Sequence, residues 1–515
     1  MNDKWLKAFP AAMKYAAGAG AVTYILMFVA VALIRMGYPY ELECLEGMGV
    51  DHVQRILDGK PLYVAPSVDF VPSIYTPFYY YVSAVPAAIF GNGPMPLRLV
   101  SFLASLGCML LIYSYARRES QSRYAALIAA GLFAATYYVS AAWFDLARVD
   151  MLFVCLLLMA AWLVRFRGTR AGFIAAGLLT TAAFLTKQTA LLAAIFFVVY
   201  GLKMRKEKGW YLVLSTTLGI GLSVMILDRV HDGWFSFYTL RVPAGHLLEP
   251  LAFIKLVPQD IFRPLPVAAL FSVLFLILRG LRGAKNDVWF YVLIGMGFLA
   301  CAAAPRVKEG NAVNDMIPVF AFVALLFGAA IPTVRAWGSE VFGYMPPDYP
   351  ERTRLRLWLS VFFYGLIVVQ LSTLFYGPQN VIPTAADRAA GDALVREVAN
   401  YRGDVWVTHH GYITTLAGKH PHAMDQPILD MLYADNPLAS ALFNEDLEHA
   451  LRECRFAAIV SDNCDFLHMG YRKDYAGEPL RYGGPDDFWP VTGYRTRPEI
   501  VYVPQDARLA VGTAP

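Results

Sequence analysis

Apolar and polar positions alternate in long blocks along this chain. Continuous apolar runs fall at 19–36, 97–116, 122–142, 149–166, 170–186, 189–204, 209–228, 264–281, 287–304, 314–334 and 357–376. A helix needs about 20 apolar residues to cross a hydrocarbon layer. The pattern predicts a polytopic α-helical membrane protein with about 11 transmembrane helices, some near the lower limit of length. Composition agrees: 57% of the 515 residues are hydrophobic and only 16% charged, with a mean hydropathy of +0.45. A soluble domain of this length cannot hide so much apolar sequence.

The net charge of +4 matters through its distribution. The segment 77–90 (PFYYYVSAVPAAIF) is apolar, short and interrupted by Pro86. Placed in the interface rather than across the membrane, it leaves Lys and Arg concentrated in alternate loops. Lys4, Lys7, Lys14, Arg117, Arg118, Arg165, Arg167, Lys203 and Arg279 then share one side. That asymmetry marks the cytoplasmic face. The expected topology is a bacterial inner-membrane protein with a cytoplasmic N-terminus. No small-residue cleavage site follows the first run, which reads as a retained anchor.

After residue 376 the chain becomes polar and acidic. Short apolar stretches at 405–407, 457–460 and 500–503 read as strands, with helical patterns at 386–401 and 439–454. This predicts a membrane domain over 1–376, with an outer-face loop at 37–96, and a periplasmic C-terminal α/β domain over 377–515. Six scattered cysteines form no CxxC pair, and a strand between Cys454 and Cys464 argues against a bond joining them. No phosphate-binding glycine loop occurs, and no nucleic-acid partner is expected.

The candidate chemistry lies in the outer loops. Glu41, Glu43 and Glu46 follow the first run directly. Charge beside hydrocarbon is costly unless it meets water, a partner or a substrate. Glu43 and Glu46 would share one face of a helix, and either could take a proton from an attacking hydroxyl. Glu46, beside Gly47 at the head of an amphipathic run, is the first choice. The loop FDLARVD offers Asp145, Arg148 and Asp150. Asp150 would be a second catalytic acid and Asp145 a substrate contact. The planar guanidinium of Arg148 suits phosphate, and a structural bridge to a carboxylate is an equal reading. Lys187 lies between two apolar runs, where snorkelling or a lipid phosphate would satisfy it. Lys308 and Asn311 sit in the loop 305–315, and His246 in the aromatic loop 229–263, where plain interfacial anchoring is an equal reading. Tyr75 heads the aromatic cluster YTPFYYY. His409, His410, His420 and His422 lack helical metal-ligand spacing, so no metal site is assigned to them.

Taken in order, these features resemble a known family. A first span is followed by an acidic loop with Glu46-Gly47, an amphipathic run ending in GKPLY, the YTPFYYY cluster, a Phe90-Gly91 turn and Arg98. This is similar to the GT-C superfamily of glycosyltransferases, especially bacterial relatives of protein O-mannosyltransferases and of the lipid A aminoarabinose transferase. The likeness covers roughly residues 19–190. It implies a polyprenyl-phosphate-linked sugar donor, inversion at the anomeric carbon, and a glycan, lipid or protein acceptor reached from the outer face. It places Glu46 or Glu43 as the first-loop acid and Asp150 as the second. Two departures stand out: Leu45 occupies the place of the first-loop aspartate, and Thr76 that of a donor-binding lysine in the aromatic motif. If the donor is a lipid phosphate, Lys187, Arg148 or Lys308 must meet it instead. The expected function is a polyprenyl-phosphate-dependent glycosyltransferase with a glutamate base and no required cofactor, although the carboxylates could hold a divalent metal. The alternatives are a permease or lipid flippase, which would need charges in mid-membrane, and a non-catalytic envelope assembly protein.

Overall fold

The computed structural model describes residues 3–204, 206–308, 310, 312–341, 351–462 and 474–505. The membrane part begins with α1 (Asp3–Met36), α2 (Glu46–Leu57), α3 (Phe78–Phe90), α4 (Pro94–Ser120) and α5 (Arg123–Ala135). It continues with α6 (Asp150–Phe166), α7 (Arg170–Thr186), α8 (Ala190–Met204) and α9 (Lys206–Val230). Three short helices follow, α10 (Trp234–Ser236), α11 (Val242–Gly245) and α12 (Pro250–Lys255), interleaved with π-helical turns at Phe237–Arg241 and Leu256–Phe262. The bundle closes with α13 (Pro266–Leu281), α14 (Lys285–Arg306), α15 (Ile317–Val341) and α16 (Glu351–Ser372).

The expected eleven spans are not what forms. Among the described residues six helices are long and apolar enough to cross a membrane, or seven if the pair Pro250–Phe262 and Pro266–Leu281, bent by 95°, counts as one. The physical reason is visible at the third run. Its apolar residues continue to 142, but the helix stops at Ala135 and the chain turns inside the protein, with Ala141 and Ala142 at φ 56° and 52°. A 13-residue helix rises about 20 Å, short of a hydrocarbon core of about 30 Å. The helices Arg123–Ala135, Arg170–Thr186 and Ala190–Lys203 all fall in this shorter class. Apolar sequence here is partly buried protein interior rather than lipid-facing surface.

Small residues let the helices approach closely. A Cβ added at Gly131 would lie 2.3 Å from the Ala21 Cβ and 2.8 Å from the Ala21 carbonyl oxygen, where α5 crosses α1. Backbone cannot yield there as a side chain can. Gly131→Ala is expected to cost about 1–3 kcal/mol, read as a lowered Tm of the detergent-purified protein.

The C-terminal part carries α17 (Ala385–Asn400), β1 (Asp404–Val407), α18 (Tyr412–Leu416), α19 (Asp425–Tyr433), α20 (Pro437–Arg452), β2 (Phe456–Asp462), β3 (Tyr475–Pro479) and β4 (Pro498–Pro504). The sheet order is β1-β2-β4-β3, with β1 parallel to β2 and the other pairs antiparallel. Strands form over the three apolar stretches read from the sequence; β3, Tyr475–Pro479, has too few apolar residues to show. Cys464 lies outside the described residues. The sheet does not stand alone. Trp406 and Phe456 of the sheet and Ile413 of α18 join one apolar cluster with Tyr40, Val53, Leu62 and Tyr79 from the segment between α1 and α4. The two parts therefore bury the acidic loop between them.

Candidate active site

The acidic loop is built around Arg98 of α4. This guanidinium is 1% exposed and gathers the end of α1 by donating to the carbonyls of Arg35 (3.1 Å), Tyr38 (2.6 Å) and Tyr40 (2.6 Å). It also binds Glu46 with two bonds, Nε to Oε1 at 2.9 Å and an Nη to Oε2 at 2.6 Å. The remaining lone pairs of Glu46 accept from the Ala147 N–H and the Leu42 N–H, both at 2.7 Å. Burial opposes ionisation of Glu46, but Arg98 and these N–H groups outweigh it and hold the carboxyl below its usual range. Glu46 is thus a fully bonded hub that ties loop, α4 and the FDLARVD turn together.

Glu43 differs. It is 2% exposed, and its Oε2 lies 3.5 Å from an Nη of Arg148 with no hydrogen-bond partner. Burial pushes its carboxyl up, and the Arg148 charge only partly offsets that. Arg148 in turn has Nε and one Nη without partners, while its other Nη donates to the Tyr75 hydroxyl at 3.0 Å. The turn that carries Arg148 is held by α4: Ser101 and Ser105 donate to the carbonyls of Arg148 (3.1 Å) and Phe144 (2.6 Å). A narrow void lined by Leu45, Met48, Tyr75, Tyr80 and Arg148 opens beside the pair.

Asp150 begins α6 and accepts from the Trp143 indole N–H at 2.8 Å and from Lys187 at 2.7 Å. Lys187, at the end of α7, also donates to Asp315 at 3.1 Å. Thr76 donates to the Phe184 carbonyl at 2.8 Å and so fastens the aromatic motif to the same helix end. Asp145 pairs with Arg35 at 3.1 Å and accepts from the Tyr137 hydroxyl at 2.9 Å. His246, in the loop 229–263, lies 3.5 Å from Asp430 of α19, and Lys308, in the loop 305–315, donates to the Pro243 carbonyl of the longer loop. Asn311 lies outside the described residues. Of the expected residues, then, Glu43, Arg148 and Tyr75 converge on one point, and Asp150 and Lys187 form a neighbouring ion cluster.

Sequence reasoning missed the contribution of the C-terminal part. Glu41 accepts from the Gly47 N–H at 2.9 Å and is bonded to Nδ1 of His410; Nε2 of His410 faces Asp462 at 3.1 Å. Both ring nitrogens meet carboxylate oxygens, so the imidazole donates from both and is the cation of the cluster, with Asp462 as its ionised partner. Burial opposes its charge, but Asp462 and Glu41 outweigh it and hold its pKa well above the usual value. Burial also lifts Glu41 to about 7. A histidine with a raised folded pKa stabilises fully below its unfolded value of about 6.5, and that stability is lost as pH rises through the folded value. His410→Gln is expected to loosen the loop 41–51, read as faster hydrogen exchange after correction for intrinsic rate; in the wild type the histidine's own contribution is lost as pH rises through its raised pKa. No local signal marks this triad, because its members are 52 and 369 residues apart in sequence.

One group among the described residues could hold a metal ion. Ligand atoms of Asp69, His420 and His422 lie within 4.8 Å of one another. His420 and His422 are two apart and share a face of an extended segment, a spacing the helical test overlooks. His422 is buried with Nε2 unpartnered, which suits a ligand, but Asp69 is already bonded to Arg455. Nothing in the acid loop depends on this group.

The sequence model of the dolichyl-phosphate-mannose-protein mannosyltransferase family matches residues 73–227. No curated protein matches the chain by sequence. Among solved structures, the chain is similar to ArnT from Cupriavidus metallidurans bound to undecaprenyl phosphate. The TM-score is 0.57 at 14% identity, covering 93% of this chain and 98% of that one. It is also similar to the Archaeoglobus fulgidus oligosaccharyltransferase tethered to an acceptor peptide, with a TM-score of 0.52 at 13% identity, covering 92% and 73% of the two chains. The chain is a polytopic α-helical membrane protein that shares its fold with these two solved structures.

Proposed function

We propose that this protein transfers a sugar from a polyprenyl-phosphate donor to an acceptor hydroxyl on a glycan, lipid or protein, at the periplasmic face of a bacterial inner membrane. The observation that carries the reading is the Glu43–Arg148 pair. It is buried, it is 3.5 Å apart, and it retains an unpaired oxygen on one partner and unpaired N–H groups on the other. Unsatisfied buried polar groups cost about 1–3 kcal/mol each, so they persist where a ligand completes them. A phosphate offers the two oxygens a guanidinium fork binds.

The reaction follows from these positions. In the free protein Arg148 masks Glu43. The donor phosphate takes the guanidinium, with the Tyr75 hydroxyl beside it, and the carboxylate is released. Glu43 accepts the proton of the acceptor hydroxyl as its oxygen attacks the anomeric carbon. The bond from that carbon to the phosphate oxygen breaks, polyprenyl phosphate leaves, and the configuration inverts. Arg148 meets the charge that develops on the leaving oxygen; one such preorganised donor is worth about 10²–10³ in rate. Glu46 is left with the structural role its four bonds describe. Lys187, divided between two carboxylates, supports Asp150 rather than facing the phosphate. The apolar residues Leu247, Leu248, Leu251, Phe253 and Ile254 are exposed beside the outer loop and offer a path for the polyprenyl chain.

Lipid mass spectrometry on the purified protein, with polyprenyl phosphate added back, tests the donor assignment. The wild type is expected to retain the lipid, and Arg148→Gln to retain at least tenfold less. Equal retention by both would remove Arg148 from the phosphate site.

A further inference from the structure

A second site lies at the opposite end of the bundle. From Lys14 to Arg35 helix α1 rises about 32 Å, roughly one hydrocarbon thickness. The residues around Lys14 are therefore at the headgroup level of the leaflet away from the acid loop. There α1, α5, α15 and α16 border an open cavity of about 420 Å³ lined by Lys14, Ser122, Tyr124, Arg335, Ser339 and Tyr364, with Arg335 and Ser339 exposed at its rim and Ile331 and Pro332 in its floor. Its volume is in the range of small-molecule sites.

Both charged side chains on its walls are cations, each held against a ring. Lys14 Nζ stands 5.2 Å from the Tyr124 ring centre, and the Arg335 guanidinium 5.4 Å from that of Tyr364. The two rings pack edge to face at 6.0 Å. Among the described residues no carboxylate lines the cavity. The acids described at this end of the bundle are engaged elsewhere: Glu119 and Asp287 by Arg165 and Arg279, Glu340 by Arg282. The Tyr124 hydroxyl is buried without a hydrogen-bond partner. Two cations held on aromatic faces, a spare hydroxyl and an apolar floor match one ligand chemistry: a phosphodiester with a glycerol group above and acyl chains below. We propose that this cavity binds the headgroup of an anionic phospholipid in the leaflet opposite the acid loop. Basic pockets between spans at such depth recognise anionic lipids by these means.

The test uses full-length protein, delipidated and then offered equal amounts of dioleoyl phosphatidylglycerol and dioleoyl phosphatidylcholine, with bound lipid read by native mass spectrometry. The wild type is expected to retain phosphatidylglycerol in preference. The double variant Lys14→Gln, Arg335→Gln is expected to lose that preference by about tenfold. Ser339→Trp keeps both cations and fills the cavity, and is expected to show the same loss. Arg167→Gln with Arg170→Gln removes as much charge from the same membrane face and is expected to change nothing. Equal retention of the two lipids by wild type, or an unaltered preference in Ser339→Trp, would overturn the proposal. So would displacement of the lipid by millimolar inorganic phosphate, which would assign the cavity to a soluble anion.

Discussion

Arg98→Met is expected to be the most damaging single substitution in the acid loop, lowering stability by about 3–5 kcal/mol, the usual cost of leaving one member of a buried ion pair alone. The loss goes beyond Glu46. The carbonyls of Arg35, Tyr38 and Tyr40 would also lose their donor. An ordinary buried ion pair can often be replaced on both sides by apolar groups at little cost. That rescue is expected to fail here. Removing Glu46 as well would strip the Leu42 and Ala147 N–H groups of their acceptor. Thermal unfolding of Arg98→Met, Glu46→Gln and the double Met variant in detergent checks this. The account expects all three to fall together, with Glu46→Gln losing fold and activity in step. A Glu46→Gln protein that folds normally and is merely inactive would return the base to Glu46.

Glu43→Gln is expected to behave in the opposite way. The side chains are nearly the same shape, and the carboxylate makes only a loose 3.5 Å contact with Arg148. The Tm should therefore move little. Loss of a general base costs about 10²–10⁴ in rate, so kcat is expected to fall by that factor while retention of polyprenyl phosphate survives. The pH profile carries a second signature. Burial raises the Glu43 pKa, and a base works only when deprotonated. Wild-type kcat/KM should climb with pH through a limb lying above the ordinary carboxylate value of about 4.3. A limb at or below that value would place the working carboxylate in a better-solvated or better-bonded site.

How much of this was legible in the sequence can be read from particular residues. The apolar runs identify a membrane bundle, and the acid cluster after the first run identifies the loop to watch. Glu43, Arg148 and Tyr75 each stand out by type and position. Their meeting does not, because the contacts join residues from separate loops. Glu46 reads alike from sequence whether its oxygens are free or filled, and the residue that fills them, Arg98, lies 52 positions on. Arg35 carries a usable signal: a charge at the acid-loop end of a span must find a partner, and it finds Asp145. The count of spans fails for a different reason. Hydropathy measures what a residue avoids, not whether the backbone stays helical. The apolar residues 136–149 avoid water by turning inside the protein. The histidines of the tail were weighed only as metal ligands with helical spacing. His410 instead sits between Glu41 and Asp462, a role that only the docking of the sheet on the loop reveals.

In the proposed reaction the Glu43–Arg148 pair works on a polyprenyl-phosphate sugar. The direct measurement is donor turnover by the purified protein. A polyprenyl-phosphate-linked sugar pool and an envelope extract as acceptor would be supplied, and the appearance of free polyprenyl phosphate followed by mass spectrometry. The account predicts time-dependent release by wild type, abolished in Glu43→Gln although that variant still holds the lipid. No binding and no release by wild type, or release by Glu43→Gln at the wild-type rate, would contradict it.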